Sequence, residues 1–291
     1  MRAWTIAKNG CWPVVSGPQT TRGLAGTEAI RGWCGFSRCE EVANGRFSGQ
    51  SGSTSDVVEF ARRLGFEPDQ RQVELLRGGI KRGIVNCSRQ WGKSTIAAVL
   101  AVHRAHTRPG STIVVAGPTE RQSAELVWKA RDFLKTLGVR RRGDGSNRIS
   151  LRLPNGSRII GLPGNEPTLR GYSASLAIID EAARVKDAVY KALRPTLAVS
   201  NGDLLLLSTP CGKRGFFYEN WASGSKDWVR IAVPATECSR ISKEFLEEEK
   251  RQMPEAWFRQ EYLCEFVEDG QQMFERDLVM AALEDGEPLK F

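Results

Sequence analysis

Asn86-Cys87-Ser88-Arg89-Gln90-Trp91-Gly92-Lys93-Ser94-Thr95 reads NCSRQWGKST. It is close to the phosphate-loop pattern G-x-x-x-x-G-K-[ST]. Gly92, Lys93 and Ser94 stand in place, and Cys87 occupies the position of the first glycine. Such a loop works by aiming backbone N–H groups at phosphate oxygens where a helix begins. The first glycine serves the tight turn and carries no charge, so a small cysteine can replace it wherever the local φ stays negative.

The flanks supply the context. GIVNC at 83–87 is short, apolar and β-branched, which predicts a buried strand. STIAAVLAVHRAH at 94–106 is apolar nearly all round, which predicts a buried helix. In this strand–loop–helix setting Lys93 would lie on the β- and γ-phosphates of a nucleotide, and the Ser94 hydroxyl would ligate Mg²⁺. Ser88, Gln90, Gly92 and Thr95 complete the candidate loop. A chance G-K-S in an ordinary loop is the competing account.

A second cluster follows. LAIIDEAA at 176–183 ends an apolar run with Asp180 and Glu181. Ligands of open parallel sheets bind at the carboxyl ends of strands. Asp180 is expected to hold Mg²⁺ through water, and Glu181 to orient and deprotonate the attacking water. An acidic helix cap after a strand is the alternative. Adjacent acids of this kind mark the ATPase class that inserts a strand between its two motifs, and STIVVAGP at 111–118 is read as that strand. Arg89 lies inside the loop, where a guanidinium can stabilise charge during phosphoryl transfer or pair structurally with a carboxylate.

Working outward, apolar runs at DLLLLSTP (203–210) and DWVRIAV (227–233) predict two more strands. NRISLRLPNGSRIIG (147–161) predicts a hairpin turning at Asn155-Gly156. Helices are expected from Asp56, which caps Val57, Phe60, Ala61 and Leu64; after Pro68, taken as a first-turn proline; and over 120–138, with Val127, Ala130, Leu134 and Leu137 on one stripe. Further helices are read in AVYKALRPTL, disturbed by Pro195, in RGFFYENWASG, and in SKEFLEEEKRQ and PEAWFRQEYL. Apolar strands alternating with helices give an α/β fold, a mostly parallel sheet with helices on both faces.

Composition narrows the class. The 291 residues carry a net charge of +8, which favours a polyanionic partner. Seven dispersed cysteines without a C-x-x-C pair read as reduced thiols; Cys34 and Cys39 make a poor zinc site. His103 and His106, the only histidines, read as helix-surface residues. No apolar run is long enough for a membrane span, and no signal peptide is read. Residues 1–55 are glycine-rich without periodicity, and no fold is assigned to them.

CSRQWGKST, with FEPDQRQ upstream and IIDEAA and LLLLSTP downstream, resembles the ATPase domain of the large terminase subunit of tailed phages. The resemblance covers about Asp56 to Phe266 and implies a P-loop NTPase of the additional-strand, catalytic-glutamate class. It implies a cytoplasmic motor that uses ATP and Mg²⁺ to drive double-stranded DNA into proheads. A portal protein and a small terminase subunit would be its partners, and a homo-oligomeric ring its active form. By the same resemblance Gln70 is the adenine-reading glutamine, Arg89 senses or triggers hydrolysis, and Ser208, Thr209 and Pro210 form the coupling motif. Arg170-Gly171 is similar to a further arginine site, and FRQEYLCEF at 258–266 to the segment that closes the domain.

One departure stands out. The family continues into a nuclease domain that needs carboxylates on a sheet to hold two metals. Asp269, Glu275, Asp277, Glu284 and Asp285 lie in a short tail without a strand to carry them. The expected organisation is therefore an unassigned segment (1–55), an ATPase domain (56–268) and a tail (269–291), hydrolysing ATP without cutting DNA. Arg140, Arg141, Arg142, Arg148 and Arg152 form a basic cluster for DNA phosphates, for a ring neighbour or for solvent. A helicase-like nucleic-acid-dependent ATPase and an inactive prophage remnant are the competing functional readings.

Overall fold

The computed structural model describes residues 56–140, 142, 149–163 and 171–268. Among them, seven strands form one sheet: β1 (Arg82–Cys87), β2 (Thr112–Gly117), β3 (Ser150–Arg152), β4 (Arg158–Pro163), β5 (Leu176–Asp180), β6 (Asp203–Ser208) and β7 (Val229–Val233). Their order is β3-β4-β2-β5-β6-β1-β7. All neighbours pair in parallel except β3 with β4, where Leu151 faces Ile159 in an antiparallel hairpin. Gly156, at φ 84°, makes the turn of that hairpin, as the Asn155-Gly156 pair predicts.

The central strands read as unbroken apolar runs because both faces are covered. Side chains alternate between two cores. Val85, Val115, Ile178, Leu205 and Leu207 enter the core beneath α1 (Val57–Arg63), α2 (Gln70–Arg77), α3 (Lys93–Thr107) and α4 (Glu120–Thr136). Ile84, Val114, Ile179, Leu204 and Leu206 enter the opposite core. That core also contains Val189 and Leu193 of α5 (Asp187–Leu193) and Phe216 and Phe217 of α6 (Gly215–Ala222). Each such leucine or isoleucine, fully buried, contributes about 1.5–3 kcal/mol of transfer free energy. The stripe Val127, Ala130 and Leu134 and the hairpin residues Ile149, Leu151 and Leu153 are core, with Leu137 packed at its border.

One helix end differs from expectation. Pro68 stands before the cap of α2 instead of in its first turn. Asp69 is the N-cap, because its carboxylate accepts from the Gln72 N–H while the Gln72 side chain accepts from the Asp69 N–H. A reciprocal pair of this kind fixes the start at Gln70, two residues later than Pro68 as the first helical residue would. Pro195 disturbs its helix as expected: α5 ends at Leu193 and the chain tightens into a 3₁₀ turn over Arg194–Leu197. His106 is exposed on α3, whereas His103 is half-buried with its ring 5.0 Å from Phe60 of α1.

The sheet order also corrects a strand assignment. β2 lies between the two motifs along the chain, but in space it flanks β5 on the far side. The strand inserted between β1 and β5 is β6. Apolar periodicity identifies strands and says nothing of their neighbours, so the two meanings of "between" separate only in three dimensions.

No helix among the described residues is long and apolar enough to cross a membrane. Residues 1–55, with Cys11, Cys34 and Cys39, lie outside the described residues, as do Arg141, Arg148, Arg170 and the tail acids from Asp269 to Asp285.

Candidate nucleotide site

β1 ends at Cys87, which is fully buried and in strand, so the cysteine substitutes for glycine without needing a left-handed backbone. The positive φ values fall later in the loop, at Gln90 (64°) and Gly92 (93°). Gly92 is the N-cap of α3 and provides no side-chain cap. The N–H groups of Thr95 and Ile96 return to its carbonyl. The amides of the first turn ahead of them have no intrahelical acceptor, which is the condition that suits an anion.

The loop is held from outside the sheet. The Gln72 amide, fully buried on α2, donates to the Trp91 carbonyl at 3.0 Å. Arg240 donates to the same carbonyl and pairs with Asp69 at 3.2 Å. Gln72 was not singled out by the sequence; a glutamine at the third position of a helix that follows Asp is the capping signal that points to it.

The acids converge on this loop. Ser94 Oγ donates to Asp180 Oδ2 at 2.7 Å, and Lys93 Nζ lies 3.0 Å from Glu181 Oε1. Asp180 closes β5 with 4% of its surface exposed, and its Oδ1 accepts from the Glu181 N–H. Glu181 itself sits at φ 52°, ψ 42°, a left-handed turn that brings its carboxylate round to the lysine. Burial pushes the Asp180 carboxyl above its usual range against the opposing bond from Ser94. Burial alone would lower the Lys93 ammonium; the carboxylates of Glu181 and Asp180 work the other way and hold it above the ordinary lysine value. Burial pushes the Cys87 thiol far up, so it is protonated and unreactive at neutral pH.

A chain of charges continues from Glu181. Arg184 Nη1 lies 3.1 Å from Glu181 Oε2, and its Nη2 lies 3.5 Å from Glu261 Oε1. Glu261 ends α8 (Glu255–Glu261), which follows α7 (Lys243–Gln252). Its carboxylate takes Arg89 Nε at 2.5 Å and Nη2 at 3.3 Å. Of the two readings of Arg89, this structure realises the carboxylate pair, and the carboxylate comes from a distant helix. The bond to Glu261 holds the Arg89 guanidinium above its ordinary value. Arg184 carried no sequence signal, and Glu261 was marked only as part of the closing segment 258–266, since the contacts of both depend on segments far apart in the chain.

One open cavity of about 220 Å³ collects Arg89, Gln90, Gly92, Lys93, Ser94, Lys129, Glu181, Arg184 and Thr209. Gln70 opens α2 as an exposed residue and does not line it. Ser88 is fully buried with its N–H bonded to the Val233 carbonyl, and Thr95 is half-buried. Ser208, at the end of β6, accepts from the Ala183 N–H at 3.1 Å and donates to the Thr209 carbonyl at 2.8 Å. It thereby ties β6 to the turn after Glu181. Pro210 is buried behind it.

The oxygens of Ser94 and Asp180 are hard donors, and their closeness fits a small divalent cation that completes its shell with phosphate and water. Among the described residues no group of three or more His, Cys, Asp or Glu is arranged to hold a metal ion alone. Chemically, two ammonium groups, a hydroxyl–carboxylate pair, a second carboxylate and two guanidiniums around one cavity can neutralise a phosphate chain and activate water.

Residues 84–280 match the family model described as terminase large subunit, T4likevirus-type, N-terminal. The terminase large subunit of Thermus phage G20c is 27% identical over 256 residues, which are 74% of this chain and 52% of the relative. The large terminase ATPase domain of Thermus phage P74-26 superposes with a TM-score of 0.64 at 28% identity, covering 72% of this chain and 98% of that domain. A large terminase from a thermophilic bacteriophage, solved in complex with ADP, superposes with a TM-score of 0.58 over 68% of this chain and 53% of that one. At 14% identity that last likeness is one of fold. The chain spans about half the length of the curated relatives it matches.

Proposed function

Because the chain belongs to the T4-like family of terminase large subunits, as the match over residues 84–280 establishes, we propose that it is an ATP-hydrolysing motor that drives viral DNA into proheads. The observation that carries this reading is the convergence of Lys93 and Ser94 with Asp180 and Glu181 at the carboxyl rim of the sheet. Lys93 would neutralise the β- and γ-phosphates, and Ser94 and Asp180 would hold Mg²⁺. A metal there withdraws charge from the phosphates and orients them. Glu181 then takes the proton of the attacking water, and the Arg184 contact keeps its carboxylate in line.

Gln70 and the loop amides bind the nucleotide in this reading, with Arg89 acting on the γ-phosphate. Ser208, Thr209 and Pro210 relay phosphate loss, because Ser208 already bonds the turn that carries Glu181. Residues 56–268 form the ATPase unit. Duplex DNA is the track; Arg142 and Arg152 pair through their backbones at the sheet edge, and with Arg140 they expose guanidiniums suited to phosphates. A ring of copies, a portal protein and a small subunit are the partners proposed from the family, in the cytoplasm of the infected cell.

The test is hydrolysis of ATP by the purified chain with and without Mg²⁺ and duplex DNA. Metal-dependent turnover supports the reading. Absence of both turnover and nucleotide binding overturns it.

A further inference from the structure

Four cations line the cavity, Arg89, Lys93, Lys129 and Arg184, and all but Lys129 are already paired with acids of the site. Lys93 is held by Glu181, Arg184 by Glu181 and Glu261, and Arg89 by Glu261. Glu261 differs from the other acids here. It comes from α8, not from a strand end, and its side chain is 16% exposed. It is also fixed in place: the Arg89 N–H reaches its carbonyl at 3.4 Å, the Ala235 N–H reaches the Tyr262 carbonyl at 2.7 Å, and the Asn86 amide donates to the Cys264 carbonyl at 2.7 Å. The carboxylate is thus delivered to the phosphate loop by a segment bonded to the loop's own strand.

We propose that Glu261 is a specificity-determining residue that occupies, in the absence of a triphosphate, the guanidinium positions a γ-phosphate would use. This rests on the nucleotide reading of the cavity. A diphosphate ends at the position neutralised by Lys93 and leaves the Arg89–Glu261–Arg184 bridge intact. A triphosphate extends toward Glu181 and must compete with Glu261 for the two guanidiniums, since a carboxylate and a phosphate want the same planar donors. Glu261 therefore lowers affinity for triphosphate and leaves diphosphate affinity nearly untouched. It acts through Arg89 and Arg184, so it is a positioning residue and takes no part in the bond-breaking step.

The experiment compares the wild-type chain with Glu261→Gln and Glu261→Ala by titration calorimetry, using Mg-ATPγS and Mg-ADP as separate probes. Glu261→Gln keeps the size and the hydrogen-bonding oxygen of the side chain, so it reports on charge even where the alanine variant folds poorly. The expected result is ATPγS binding tightened by about threefold to tenfold with ADP binding changed by less than about twofold. Parallel weakening of both ligands, or no change in either, overturns the proposal and leaves Glu261 a structural anchor. If the wild-type chain binds neither nucleotide, the reading of the cavity itself fails, an outcome distinct from both.

Discussion

Ser94 and Asp180 are 86 positions apart in the chain, yet their side-chain oxygens meet at 2.7 Å. The contact joins the first turn of α3 to the last residue of β5. It brings two hard oxygen donors to one rim of the sheet, with Lys93 and Glu181 forming the parallel contact beside them at 3.0 Å.

Lys93→Ala removes the ammonium that pairs with Glu181 and that is proposed to meet the phosphates, and hydrolysis of Mg-ATP should fall by at least about a hundredfold. Glu181→Gln keeps the shape but not the base, so it should bind ATP while turning over about 10²- to 10⁴-fold more slowly. Steady-state phosphate release together with nucleotide titration separates the two. Wild-type turnover in Glu181→Gln would remove Glu181 from the role of base.

Cys87→Gly restores the usual loop glycine and should bring no gain in turnover. The cysteine is fully buried at the end of β1 without positive φ. Glycine there leaves a void and loosens the unfolded chain, at a cost of about 1–2 kcal/mol. A denaturant midpoint equal to or above wild type would contradict this.

Gln70 and Gln72 should separate in their effects. Gln72 accepts from the Asp69 N–H at 2.9 Å and donates to the Trp91 carbonyl at 3.0 Å, both within the fold. Gln72→Ala should cost about 2–3 kcal/mol and raise KM for ATP by loosening the loop. Gln70→Ala, at an exposed position, should leave the melting temperature unchanged and erode only the preference for ATP over GTP. Equal thermal losses in the two variants would argue against this division.

Ser208→Ala leaves the Ala183 N–H without its side-chain acceptor and the Thr209 carbonyl with only the longer bond from Arg184, at 3.4 Å. The expected cost is about 1–3 kcal/mol in stability. Stimulation of hydrolysis by duplex DNA should fall more than basal hydrolysis does. Loss of both in equal proportion would mean that Ser208 serves the fold alone.

Much of this molecule was legible in its sequence, for identifiable reasons. Unbroken apolar runs such as LAIID and DLLLLS announce strands covered on both faces, and their alternation with helical patterns announces a parallel sheet. Lys93, Ser94, Asp180 and Glu181 could be singled out because residue type at a strand end is a local property, and the structure brings the four together. Strand order was not, since β6 and β2 carry the same apolar pattern and only lateral pairing separates them. Gln72, Arg184 and Glu261 were hidden for a related reason. A buried amide or a paired charge acquires its meaning from the segment opposite, and Glu261 meets Arg89 across 172 positions of chain.

The insertion of β6 between β1 and β5 has a mechanical consequence. Neighbouring strands stand about 4.8 Å apart, so the strand that delivers the lysine and the strand that delivers the acids are locked about 10 Å apart. β6 is hydrogen-bonded along both flanks, Leu206 opposite Ile84 on one side and Ile179 on the other. The gap works as a calliper set at two strand widths, and no ligand can open it without tearing a ladder. If a nucleotide binds at this rim, as proposed, the difference between its loaded and spent forms falls to side-chain torsions and to the loops above the rim.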